Sequence, residues 1–463
     1  MSAPMETNTI APVSKERTFP GNFWILRRMG GFSAELTRVE KIEHASLGDQ
    51  LTAALLRRDQ NRCLDLLKFG TGRPDEIAEV CRHANIAALL FERCCELKLE
   101  NAMDEIMLAD GMSLLSALKR EAAVAISRFQ RLDLVFTDLC DKLKQFGPDV
   151  LWLKGPVLAR SVYEQPHFRL SEDFDIFVNW PARHAVIQHL ETLGFHQLVE
   201  DAGHCHQFGI GPTNSIDDLS IAPGEEFEHC HNLTMLQAGS VMIELKFDPL
   251  EQGLRMLELD RFDSSCQRLS WNGMDFYAPD VIDHLLLELT HFHKHFFTGW
   301  QWLYDIHLLI AEIPKAPGGW GEFVRRCKAE KVNASAWAGL ELSVDWLDSA
   351  VPASVLQELA PDPSLCRAFT FLAGSEFLWN TTSLPELLFD ALFVGDRSRK
   401  LSALRDCILP SQRFLSAYYC RGGKVTWITY PAIWLVHMLV LILPGGIVRR
   451  TFGPWIWRRR SVG

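Results

Sequence analysis

A chain of 463 residues is long enough for two or three domains, since a single hydrophobic core seldom keeps growing beyond about 250 to 300 residues. With 48% apolar and 23% charged residues and 28 Phe, the composition excludes a disordered or fibrous protein and describes one that builds a core. A formal net charge of -11 excludes broad nucleic-acid binding, which needs surplus Lys and Arg to displace counterions from phosphates; only a local basic groove stays open.

Residues 1–20 are rich in Thr, Pro and Ser, lack apolar periodicity and read as a flexible tail. Residues 21–147 read as a helical region, because apolar positions recur three and four apart, as at Leu51, Ala54 and Leu55. A long helix is predicted from Met112 to Phe146, with a stripe through Leu115, Leu118, Ala122, Ala125, Phe129, Leu132 and Phe136 that Gly147-Pro148 ends. The period then changes. Val150 to Leu153 is a short apolar run that suits a buried strand entering a turn at Lys154-Gly155-Pro156. A helix from Val157 to Tyr163 is expected next, then a half-buried strand over Asp173 to Val178, where acidic and apolar residues alternate. A second helix covers Ala182 to Leu193, and strands and loops fill 203–248, closing on the alternating stretch Val241 to Phe247. These pieces, residues 148–270, make an α/β core with a small mixed sheet, and residues 279–419 return to helical periodicity. The expected class is therefore α+β: a sheet core flanked by N-terminal and C-terminal helical domains, with a basic, Trp-rich tail over 420–463.

The twelve cysteines are scattered with no CxxC pair, and no signal peptide opens the chain, so a reducing cytoplasm is the expected compartment.

Residues two apart on a strand share a face, so Asp173 and Asp175 set two carboxylates side by side while Phe174 and Ile176 turn to the core. Like charges so placed need a counterion, and a pair of Mg²⁺ ions, or Mn²⁺ in their place, supplies one. Glu244, on a neighbouring strand with Ile243 and Leu245 buried opposite, is the candidate third ligand. An apolar strand delivering Lys154-Gly155 ahead of the acids suggests a phosphate site with Arg169 and Ser171 beside it, because glycine admits a backbone close to an anion and the cations neutralise it.

The run Leu151-Trp152-Leu153-Lys154-Gly155, then Tyr163, Arg169 and Asp173-Phe174-Asp175-Ile176-Phe177-Val178, resembles the signature of an uncharacterised bacterial nucleotidyltransferase family in the polymerase-β superfamily. The likeness continues at Ile243-Glu244-Leu245-Lys246, at His291, His295, Trp302, Leu303 and Asp305, and more faintly at Leu404-Arg405-Asp406 with Pro410. It implies a nucleotidyltransferase fold, Mg²⁺ dependence and transfer of a nucleoside monophosphate from a nucleoside triphosphate to an unknown acceptor. Two positions depart from the pattern: Pro156 stands where many members of the superfamily have Ser, and Lys246 where closer relatives often have His. Lys246 there suits a triphosphate or marks drift.

His284, His291 and His295 fall on one helical face, with His291 and His295 candidates for nucleotide contact and His284 and His293 for packing. Asp305 reads as a structural anchor of that face. The triplets His204-Cys205-His206 and His229-Cys230-His231 invite a zinc site, but adjacent ligands on strands point to opposite faces, so none is assigned.

From Arg421 onward there are seven Lys or Arg and no acid, and an uncharged stretch lies between Lys424 and Arg449. A buried helix, an interfacial anchor on anionic lipid and a membrane span all fit. The anchor is the expected one, which would hold the enzyme at the inner membrane near an acceptor of surface-polysaccharide or lipid-linked metabolism. Two other functions remain open at this level: a DxD glycosyltransferase using a nucleotide sugar, and a catalytically degenerate membrane-side binding module.

Overall fold

The structure, a computed structural model, describes residues 46–197, 232–236, 242–246, 265–295, 297–363 and 426–442, with a few single positions between 365 and 415. The N-terminal tail, both His-Cys-His triplets and most of the basic tail lie outside the described residues.

Helices come first, as the apolar spacing requires. They include α1 (Leu47–Leu56), α2 (Gln60–Gly70), α3 (Ala87–Glu96) and the long α4 (Leu114–Leu143). Ser113 caps α4 by accepting from the Ser116 N–H at 3.2 Å. A 3₁₀ stretch then carries the chain to Asp149, where Gly147 takes a φ of 55°. The core follows as β1 (Val150–Trp152), α5 (Gly155–Ser161), β2 (Asp173–Val178), α6 (Arg183–Thr192), β3 (His196–Gln197), β4 (Asn232–Leu236) and β5 (Met242–Lys246). These strands form one mixed sheet in the order β1-β2-β5-β4-β3, parallel only between β2 and β5.

Period-two alternation divides the sheet. Val150, Trp152, Phe174, Ile176, Val178, Ile243 and Leu245 join one core with Phe136, Leu139 and Leu143 of α4 and Val186, Ile187 and Leu190 of α6. Leu151, Leu153 and Phe177 belong to the opposite face, in a second core built by helices from both ends of the chain. Asp173 and Asp175 share that face, so β2, expected to be half-buried, is covered on both sides from Phe174 to Val178.

A hairpin absent from the expected elements, β6 (Gln267–Trp271) and β7 (Met274–Ala278), turns at Asn272-Gly273, both with positive φ. It leads into α7 (Val281–Lys294), α8 (Trp300–Glu312), α9 (Gly319–Ala329), α10 (Asn333–Leu347) and α11 (Ala353–Leu359). Asp280 caps α7, accepting from the Asp283 N–H at 2.8 Å. Residues of the N-terminal and C-terminal helices, from Leu51 to Leu359, pack in one continuous core. Across it the Trp300 indole Nε1 donates to Asp49 Oδ1 at 2.8 Å, with both side chains buried. Trp300→Phe, which removes that donor and some apolar area, is expected to lower unfolding stability by about 1–3 kcal/mol in urea titration and to leave activity intact.

Candidate active site

The site begins at a strained turn. Leu153 ends the buried strand by donating its N–H to Asp175 O at 3.0 Å, and Lys154 then takes φ 51° and ψ -125°, a conformation that favours glycine. His284 of α7 holds it there: its Nε2 accepts the Lys154 N–H at 3.0 Å. Burial, with Arg169 and Lys154 nearby, pushes the His284 imidazole down to about 3, so it stays neutral and keeps that lone pair. The packing role expected for His284 is thus a specific one, support of the lysine turn. Gly155 permits the next close approach. A Cβ there would overlap Ser171 Oγ and lie 2.7 Å from Arg169 Nη1.

The acids meet through strand register. Asp175 pairs with Glu244 across the parallel β2 and β5, and Asp173 with Met242 one step earlier on the same face. Two lysines stand among them. Lys154 Nζ lies 3.4 Å from Asp175 Oδ2, and Lys246 Nζ lies 3.1 Å from Asp175 Oδ1 and also contacts Glu244 Oε2. Lys154 Nζ further donates to His291 Nδ1 at 3.1 Å. His295 stacks on Trp302 with ring centroids 4.1 Å apart, and His291 meets the same indole edge-on. His291 is therefore in the site, and His295 stands one ring further out.

Burial, then Asp175 and Glu244, pushes the Asp173 carboxyl up to about 6. The donors are all carboxylate oxygens, the type a hard divalent cation takes, and they are crowded enough that one resists ionising. Among the described residues no trio of His, Cys, Asp or Glu converges on a single metal position as the side chains stand, and ammonium groups occupy the space between the carboxylates.

Arg169, Ser171 and Asp305 have partners other than those expected. Arg169 was expected to hold phosphate, but it is buried with its donors committed: Nε and Nη2 to Asp305, the closest contact 2.8 Å, and Nη1 to Ser171 Oγ at 2.8 Å. Burial opposes the guanidinium charge, and Asp305 outweighs that opposition. Ser171 in turn is Arg169's acceptor and packs on Gly155. Asp305 anchors this arginine and the Tyr163 hydroxyl, which donates at 2.7 Å, rather than the histidine face. His293 packs as expected, bonded through Nδ1 to Ser335 Oγ at 2.9 Å.

One residue was not singled out from sequence. Glu288 of α7 is fully buried, and neither carboxylate oxygen has a hydrogen-bond partner among the described residues. Burial, then Asp305, pushes its carboxyl up to about 8, which keeps it protonated at neutral pH. Its spacing of four from His284 and three from His291 was the available signal.

A lysine turn and three acids lie together on a small mixed sheet covered by helices. The chain belongs to the family described as uncharacterised nucleotidyltransferases, whose sequence profile matches residues 71–348 and so spans every site residue from Lys154 to Asp305. A search of curated proteins finds no match. Family membership sets aside glycosyl transfer.

The raised Asp173 carboxyl reverses the usual linkage for an acid. Its ionised form disfavours the fold above about pH 6, and the penalty vanishes as pH falls below the unfolded value near 3.8. In metal-free protein Asp173→Asn is expected to raise stability by on the order of 2 kcal/mol at pH 8. That gain should shrink towards zero near pH 4 in melting curves taken across the range, while transfer activity is lost at every pH.

Proposed function

We propose that this nucleotidyltransferase moves a nucleoside monophosphate from a nucleoside triphosphate to a hydroxyl of its acceptor in a Mg²⁺-dependent reaction, with Mn²⁺ able to substitute. The observation that carries the reading is the register of β2 and β5, which sets Asp175 beside Glu244 with Lys154 Nζ 3.4 Å from Asp175.

Asp173 and Asp175, with Glu244, would hold the cation. When bound, Mg²⁺ neutralises phosphate charge and lowers the barrier to attack by the hydroxyl. The chain's own residues supply the rest. Lys154, on its strained turn, presents an ammonium beside the acids to a triphosphate oxygen, with His291 aligning it. Lys246 adds positive charge on the other side of Asp175. Glu244, whose side chain is 24% exposed, faces the acceptor and orients its hydroxyl or takes its proton. Positioning and charge neutralisation carry most of the rate, as phosphoryl transfer chemistry requires.

The protein should release pyrophosphate from labelled triphosphate when given Mg²⁺ and cell extract, with label passing to one acceptor class. Asp175→Asn should abolish transfer. Lys154→Ala should lower kcat/KM by about 10- to 100-fold, the equivalent of one charged hydrogen bond. Absence of labelled acceptor and of pyrophosphate with all four nucleotides would contradict the reading.

The last described helix, α12 (Tyr430–Ile442), and the residues before it support attachment to an anionic membrane surface. Trp427, Ile428, Leu435 and Leu439 are exposed there, in a segment whose only charges are positive. No helix among the described residues is long and apolar enough to cross a membrane. Co-sedimentation with vesicles of phosphatidylserine and phosphatidylcholine is expected at low salt, and little with phosphatidylcholine alone. Equal partitioning onto both would remove the electrostatic part of this proposal.

A further inference from the structure

A buried acid on α7 has no part in the reaction described so far. Glu288 stands between two residues that grip Lys154: four positions earlier, His284 accepts the Lys154 N–H at 3.0 Å, and three positions later, His291 meets the Lys154 ammonium at 3.1 Å. Spacings of three and four put all three on one face of the helix, the face turned to the lysine. Glu288 is 0% exposed, and neither of its carboxyl oxygens has a hydrogen-bond partner among the described residues. Arg169 does not bond it, because the three guanidinium nitrogens go to Asp305 and Ser171. A sealed, unbonded carboxyl is costly to keep as an anion, and here it lies beside a site that has to receive phosphate.

We propose that Glu288 is a positioning residue that links proton binding to triphosphate binding: the site accepts a nucleoside triphosphate with Glu288 as a neutral acid, and ionising Glu288 weakens that binding. The inference rests on the proposed function and adds the protonation state in which the site takes its substrate. An ionised Glu288 would place a negative charge in a water-poor interior within range of Lys154, and so would act on the same ammonium that the triphosphate uses. By reciprocity the arriving polyanion disfavours the ionised acid, so the complex holds that proton more tightly than the free protein does. The step moves one proton from solvent to the Glu288 carboxyl.

The charges around Glu288 fix the direction. Burial acts most strongly, Asp305 of α8 adds to it, Arg169 and Lys154 oppose it, and Asp175 of β2 adds again, which leaves the carboxyl pushed up to about 8. Of the other helices packed on α7, α9 directs Arg326 to Asp280 and Asp283 at its start, and α10 directs Ser335 to His293 near its end. Between pH 7 and pH 9 several neighbouring groups hold one state. His284 is neutral, with its imidazole at about 3, and Asp173 is ionised, with its carboxyl at about 6. Burial, then Asp305, holds the Tyr163 hydroxyl well above its ordinary value, so it keeps its proton. Glu288 changes state within that window.

The test reads protons and affinity together. Non-hydrolysable analogues of ATP, GTP, CTP and UTP, each with Mg²⁺, would be titrated into the full chain in a calorimeter at pH 7, 8 and 9, in buffers of different ionisation enthalpy. For wild type the Kd of whichever analogue binds is expected to rise about 10-fold from pH 7 to pH 9, with about half a proton taken up per nucleotide at pH 8, as one acid titrating there requires. Glu288→Gln keeps the shape of the neutral acid and should bind as well at pH 9 as at pH 7, without that uptake. Glu288→Met, also neutral, should be equally flat and serves if the first variant does not fold. A purely structural Glu288 would instead shift the Kd of both variants by one factor at every pH. A wild-type Kd that does not move with pH, or one that moves as much in a folded variant, would overturn the inference and leave the proposed function standing. Failure of all four analogues to bind at any pH would remove the functional reading, and this inference with it.

Discussion

The constraint on which the rest depends is the parallel pairing of β2 with β5, which forces Asp175 and Glu244 to the same level of the same face. Side chains on adjacent strands have little latitude, so two like charges are held together whatever that does to stability. Much of the surrounding structure answers that repulsion. Lys154 is brought in on a strained backbone that His284 steadies, and Lys246 is folded back from within the strand itself. Asp173, which neither lysine contacts among the described residues, carries the residual strain as a carboxyl reluctant to ionise.

The helical body is part of this arrangement. One face of the sheet rests on α4 and α6 through ordinary apolar packing, and the other meets the common helical core. α7 touches the site through a single stripe: His284 under the Lys154 backbone, Glu288 buried at mid-height and His291 at the Lys154 ammonium. His284 and Glu288 of that stripe are buried, and low exposure strengthens charge interactions there.

What was legible in the sequence was local. The alternation in Asp173 to Val178 marked β2 with its boundaries as they stand, and the apolar run into Lys154-Gly155 marked β1 and its turn. The order of the elements and the grouping of three acids followed from period and spacing. The partners of buried charges did not, because an arginine two residues before a serine looks the same whether it meets a phosphate or an aspartate from another helix 136 residues away. Arg169 and Asp305 were each noticed separately, and only tertiary packing joins them. Likewise helical periodicity identifies helices without saying which share a core. The β6–β7 hairpin is a different case. Asn272-Gly273 is a strong turn signal, overlooked because the exposed strands around it alternate only weakly.

The buried Arg169–Asp305–Tyr163 group also bears on how the molecule can move. Arg169 and Tyr163 sit on the segment leading into β2, and Asp305 sits in the middle of α8, so the group fastens the sheet to the helices with ionic and hydrogen-bonded contacts sealed from water. Swinging the sheet away from the helices would expose or strand that carboxylate and its guanidinium, at a penalty of several kcal/mol. The group therefore opposes a clam-like opening of the sheet away from the helices.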